Sequence, residues 1–193
     1  GRSGQAAQTP LDTWLGRAPA AASVDDLVLR YLAAFGPATV RDVQLWCGLT
    51  KLSEVVDGLR ERLVTFADSR GRELFDVPDA PRPDPDTPAP VRFLYDFDNL
   101  LLSHVDRSRI VGDADFGAQG FGGDNQEQPS SVLVDGVVAA TWKVARSRGV
   151  ATLTVRAFRV LTATERENVV AEGLALLGFL RPTDSPVVEI NCR

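Results

Sequence analysis

The chain's only histidine, His104, stands among Asp96, Asp98 and Asp106. A histidine surrounded by carboxylates is the residue set of a metal site or of acid–base chemistry. Spacing argues against both. On a helix, Asp98 and His104 would diverge by about 120°. In an extended segment Asp96, Asp98 and His104 share a face, but three leucines intervene. Ligand spacing of the HxxxH or CxxC kind is absent, and Cys47 and Cys192 lie far apart. The alternative is a packed segment whose carboxylates tie down turns. No Ser-His-Asp signature, GxSxG or phosphate-cradling loop is present. Gly117–Gly123 is glycine-rich, yet no strand leads into it and no helix leads out. The residues therefore assign no catalytic group, no metal and no cofactor.

Charge offers a better signal. The chain carries a net charge of −5, which taken alone disfavours nucleic acid. Locally the balance differs. Residues 77–130 hold four arginines against ten carboxylates, a sum of −6. Residues 143–159 hold Lys143, Arg146, Arg148, Arg156 and Arg159 and no acid. Binding depends on the local field rather than on the total. If this segment is a hairpin, with Arg146 and Arg148 at its tip, it suits phosphates or a narrow groove. The competing reading is a charged edge strand protected from aggregation.

Upstream elements supply a second candidate. Ser23 is a good N-cap, and Leu27, Val28, Tyr31, Leu32 and Phe35 recur at helical spacing until Gly36-Pro37. A shorter helix follows Thr39 and ends at Gly48. A third, from Lys51, places Leu52, Val55, Val56, Leu59 and Leu63 on one face. Leu63–Phe66 and Glu73–Val77 flank a Gly-containing turn and spell a hairpin. Three helices and a hairpin over 23–77 predict a winged helix-turn-helix module. Its third helix exposes Lys51, Glu54, Asp57, Arg60, Glu61 and Arg62, which sum to zero. A recognition helix usually has a positive excess, so the module reads as framework, with Arg70 and Arg72 on the wing as phosphate contacts.

Around this module, residues 1–22 read as an incoming linker and the prolines of 78–90 as an extended connector. Residues 91–111 are apolar enough to be buried, and 112–130 read as a mobile loop. Residues 91–193 are expected to form a β-rich domain, barrel- or hairpin-like. Asp135-Gly136 is a hairpin signal. A turn is expected at 146–149, and Thr164 and Glu167 read as a capping box. The helix 164–180 would bury Val170, Leu174, Leu177 and Leu180 before a closing strand at 187–190. The fold class is α+β.

Composition is ordinary for a soluble protein. No apolar run approaches the ~20 residues of a membrane span, and no leader opens the chain. The expectation is a cytoplasmic, nucleoid-associated monomer. No methionine is present, even at position 1, which reads as a fragment, a trimmed chain or an incomplete gene model.

Four blocks, DTWLG, LRYLAAFGPATVRDVQLWCGL, PVRFLYDFDNLLLSHVDRSRI and VLVDGVVAATWK, together resemble a bacterial winged-helix family. That family includes the AlkZ-like and YcaQ-like DNA glycosylases. The resemblance spans about Asp12 to Leu180 and rests on the order of the blocks. It implies tandem winged helices with a β-rich C-terminal part shaped to embrace duplex DNA. Characterised relatives cleave the N-glycosidic bond of alkylated or crosslinked bases, using a Gln-x-Gln motif near the N-terminus. The blocks here correspond to the family's C-terminal half. Gln126-Glu127-Gln128 has that spacing but follows blocks that the family's motif precedes, so no catalytic role is carried onto it. The resemblance thus points to a DNA-binding portion of a protein of base-excision repair or self-resistance. The alternative is a non-catalytic winged-helix module that docks another protein.

Overall fold

The computed structural model describes residues 8–18, 21, 23–112 and 130–192. These divide into two compact units, one built from the chain up to Val40 and Thr50–Ala80, the other from Arg41–Leu49 and Pro81 onward.

In the first unit, α1 (Leu11–Leu15) buries no residue. Helix α2 (Val24–Phe35) starts at Ser23, whose hydroxyl accepts from the Asp26 amide at 3.0 Å. Its inner face buries Val28, Tyr31 and Leu32. The expected third helix is short. Helix α4 (Ser53–Gly58) gives way at Leu59 to a 3-10 turn, Arg60–Arg62. The apolar series still holds, with Leu52, Val56, Leu59 and Leu63 all buried. The hairpin of β1 (Val64–Ala67) and β2 (Glu73–Asp76) follows as expected. A single bridge joins Ala38 to Phe75.

Helix α3 (Val40–Cys47), which the sequence places between α2 and α4, groups from Arg41 with the second unit. Its buried Asp42 accepts from the Val105 amide at 2.8 Å, and Trp46 Nε1 donates to Asn99 Oδ1 at 3.4 Å. Polar side chains hold this helix to a distant stretch, a kind of contact that apolar periodicity does not report.

The second unit is an open five-stranded sheet rather than a barrel, in the order β3 (Arg92–Leu94), β4 (Ser131–Val134), β5 (Val137–Ser147), β6 (Val150–Ala157), β7 (Ser185–Cys192). Neighbours are antiparallel except β6 and β7. A parallel pair needs a long crossover, and α7 (Ala163–Leu180) supplies it. Two-residue turns close β4–β5 at Asp135-Gly136 and β5–β6 at Arg148-Gly149, all four residues having positive φ, as type I′ hairpins require. The second turn is tighter than the 146–149 expected, so Arg146 lies in the strand, not at the tip.

Helix α7 covers one face of the sheet, packing on Leu153, Val155, Ala151, Val132 and Val134. It buries Val169, Gly173 and Leu177. The expected face therefore shifts: Leu177 is kept, Val170 is half-buried, and Leu174 and Leu180 are exposed. Gly173 explains the seat, because a Cβ there would lie 2.7 Å from Leu153 Cδ2. The capping box also sits two residues earlier than expected, at Thr162 and Glu165. The sequence offers two overlapping Thr-x-x-Glu patterns, and the earlier one lets Arg159 grip the same glutamate.

Ala139 is an extra residue in β5, since Val132 pairs with Ala140 but Leu133 with Val138. This bulge turns Val138 to the face away from α7. There it joins Leu133 and Leu101 in a second cluster. Leu101 comes from α5 (Asn99–Leu102), and Ile110, from α6 (Ser108–Val111), packs alongside. Stretch 91–111 is thus a strand and two short helices that expose Tyr95 and Phe97.

Candidate nucleic-acid interface

The placement of the basic residues follows from the pleat. Ala151, Leu153, Val155 and Ala157 all lie under α7, so Thr152, Thr154 and Arg156 face the other way. Register places Lys143 opposite Thr154 and Thr141 opposite Arg156. On the far side Glu189 pairs with Thr154, and Asn191 with Arg156. The sheet face away from α7 therefore carries two polar rows, Lys143–Thr154–Glu189 and Thr141–Arg156–Asn191. Lys143 and Arg156 are diagonal neighbours about 7–8 Å apart. Both are exposed, as is Arg148 in the turn. None of these three cations makes an ion pair among the described residues. Glu189 is the one carboxylate among the residues of these two rows.

The other cations of the segment are matched by acids that the sequence window does not contain. Arg146 pairs in register with Ala151 and so faces α7. Its Nε and Nη2 donate to Asp184 Oδ2 and Oδ1 at 2.6 and 2.9 Å. This hydrogen bond holds the Asp184 carboxyl below the usual range. Arg159 donates to both carboxylate oxygens of Glu165 at 2.9 and 2.6 Å. That grip, helped by the Thr162 amide, lowers Glu165 to about 2. The segment is free of acid in sequence but not in space, because the two ends of α7 return a carboxylate to it.

In the β1–β2 hairpin, Asp68 organises the turn by accepting from the Arg70 and Arg72 amides at 2.8 Å each. Arg72 Nε also donates to Asp68 Oδ2 at 2.6 Å, and these bonds, the Arg72 amide first, hold the Asp68 carboxyl low. Arg60 bridges Asp57 and Glu73 and lies 5.3 Å from the Phe75 ring centroid. In the sequence Arg60 counts only as surface charge. Its links to Glu73 and Phe75 depend on the hairpin folding back, so helical spacing holds no sign of them.

Two of the three carboxylates near His104, Asp98 and Asp106, serve the backbone. Asp98 caps α5 by accepting from the Leu100 amide at 2.9 Å. Asp106 accepts from the Ser108 amide and hydroxyl at 3.1 and 2.6 Å. His104 is buried, with Nδ1 2.9 Å from Ser103 Oγ. Among the described residues no three His, Cys, Asp or Glu side chains converge as a metal would need. Gly117–Gly123 and Gln126-Glu127-Gln128 lie outside the described residues. No described helix is long and apolar enough to cross a membrane.

Fold and surface together define a mixed α+β protein: a helix–hairpin unit and a five-stranded sheet backed by one long helix, its other face bearing exposed cations. The chain belongs to the AlkZ-like DNA glycosylase family, whose model matches residues 1–179. Its fold is similar to that of Streptomyces sahachiroi DNA glycosylase AlkZ, with a TM-score of 0.67 and 21% identity. That match covers 86% of this chain and 45% of AlkZ, so the chain spans less than half of the length of that protein. Comparison with curated protein sequences gives no significant match.

Proposed function

We propose that this chain is the duplex-DNA-binding portion of an AlkZ-like protein acting in repair of alkylated or crosslinked bases, or in self-protection against the agents that cause them. The observation that carries the reading is the sheet face bearing Lys143 and Arg156, with Arg148 at its turn. Three exposed cations without an ion-pair partner among the described residues give up no internal bond when they turn to phosphates. Thr141, Thr152 and Thr154 between them are neutral groups able to donate to phosphate oxygens. Family membership supplies the class of partner. Arg70 and Arg72 on the β1–β2 hairpin are supporting contacts, and Arg72 would exchange Asp68 for a phosphate at some cost.

The order α2, α3, α4, β1, β2, with Ala38 bridging Phe75, supports reading 23–77 as a winged helix. With the exposed charges over 51–62 summing to zero, it serves as framework more than as reader.

Fluorescence anisotropy on a labelled duplex tests the proposal. Each phosphate neutralised contributes about −0.9 to the slope of log K against log salt, so three contacts give roughly −2.7. Lys143→Glu with Arg156→Glu should remove most of the binding. Unchanged affinity in that double variant, or no binding by the native chain at 50 mM salt, would overturn it.

A further inference from the structure

Lys143 and Arg146 are three residues apart on one strand and face opposite sides of the sheet, so they cannot meet the same ligand in the same way. We propose that Arg146 and Asp184 form a latch that positions the β5–β6 hairpin for its phosphate contacts. Arg146 is then a positioning residue and not a contact. The inference rests on the DNA reading above.

Three observations carry it. First, β5 outruns its neighbour: β4 pairs no further along β5 than Thr141, and the last bond from that side is Trp142 N–H to the Ser130 carbonyl at 3.0 Å. Among the described residues, 143–147 therefore pair with β6 alone, which β7 backs on its other side. A strand at such an edge has one side of its ladder unpaired and is held by fewer bonds than a central strand. Second, Asp184 is held from its backbone. Its side chain is 3% exposed, and its amide donates to the Arg181 carbonyl at 3.1 Å. The next residue donates its amide to the Gly149 carbonyl at 2.8 Å, so the 184–185 step grips the hairpin turn from the backbone as well. Third, Ala151 separates the partners. It lies between Arg146 and Pro186 in register and is fully buried. A methyl group leaves room for the arginine to cross β6. The two-bond geometry fixes the guanidinium plane as well as its distance. With the overhang pinned on the α7 face, Lys143 on the other face and Arg148 in the turn are presented in one arrangement.

The experiment compares Arg146→Ala, Asp184→Ala, the exchange Arg146→Asp with Asp184→Arg, and Lys143→Ala, in the full chain. Each single latch variant should weaken duplex binding roughly tenfold, the effect of lost preorganisation, and leave the salt slope as it is, while the exchanged pair should recover most of that loss. Lys143→Ala should make the slope shallower by about one. Amide hydrogen exchange over 143–152 should quicken in both single latch variants and return toward native in the exchanged pair. If Arg146→Ala makes the slope shallower by one, Arg146 is a contact and the latch role falls. If Asp184→Ala tightens binding, the aspartate masks a contact and the proposal is equally overturned. Unchanged hydrogen exchange in both single variants refutes the latch itself. Absence of duplex binding by the native chain overturns the DNA reading, and hydrogen exchange then decides the latch alone.

Discussion

Gly36 shows how closely single residues constrain this chain. Its φ of −64° is open to any residue, so the constraint is space. A Cβ at position 36 would lie 2.3 Å from Asp76 Oδ1 and 2.6 Å from the Leu32 carbonyl. Neither neighbour yields easily. The Asp76 side chain is 1% exposed and its Oδ1 accepts from the Val77 amide at 2.8 Å, while Leu32 O closes α2 by accepting from Gly36. Gly36→Ala should therefore destabilise the fold by about 3 kcal/mol, at the upper end of what forced overpacking costs. Urea unfolding measures this, and a change within about 0.5 kcal/mol, as at an ordinary surface site, would refute it. The sequence marks Gly36-Pro37 as a helix stop for local reasons. The steric demand comes from a carboxylate forty positions away and has no local signature.

At the scale of elements, what the sequence discloses depends on whether the cause is local. The turns at Asp135-Gly136 and Arg148-Gly149 need positive φ within two residues, and a glycine in each makes them legible, the second only to within two positions. The hairpin strands declare themselves through β-branched residues. The buried face of α7 does not. Val169, Val170, Leu174, Leu176, Leu177, Phe179 and Leu180 surround the helix, so periodicity selects no side; packing through Gly173 does. The α7 N-terminus was legible to within one half-turn, and the competition was settled by Arg159. That pairing carries a pH dependence. Glu165 is held at about 2 against an ordinary value of 4.5, so its contribution is complete above 4.5. It is lost as pH falls from 4.5 toward 2. Acid unfolding followed by circular dichroism should show this limb flattened in Glu165→Gln. Thr162→Ala should cost about 1 kcal/mol at neutral pH, as loss of an N-cap does. An acid limb identical in Glu165→Gln and native protein would show that the pairing contributes nothing.

At the scale of the whole molecule, the proposed DNA binding asks a chain of net charge −5 to approach a polyanion. Distance and screening decide which field DNA feels. At 0.15 M salt the Debye length is about 8 Å, so a duplex against the β5–β6 face feels chiefly the groups it touches there, Lys143, Arg148 and Arg156 with Glu189 among them. At 0.01 M it is about 30 Å, comparable with the protein itself, and the carboxylates of 77–130 act along with the cations. The salt plot should therefore bend. Its slope should follow the contact count above about 0.1 M and become shallower toward 0.01 M. Asp79→Asn with Asp86→Asn raises the net charge from −5 to −3 and alters exposed residues distant in sequence from the cationic strands. It should straighten the low-salt end and leave affinity at 0.15 M within about a factor of two, as expected beyond a Debye length. Anisotropy titrations across that range read both effects. A straight plot for the native chain would mean that its acidic half never reaches the DNA. A large change at 0.15 M would mean that these aspartates stand beside the bound duplex, with the contact surface wider than the β5–β6 face.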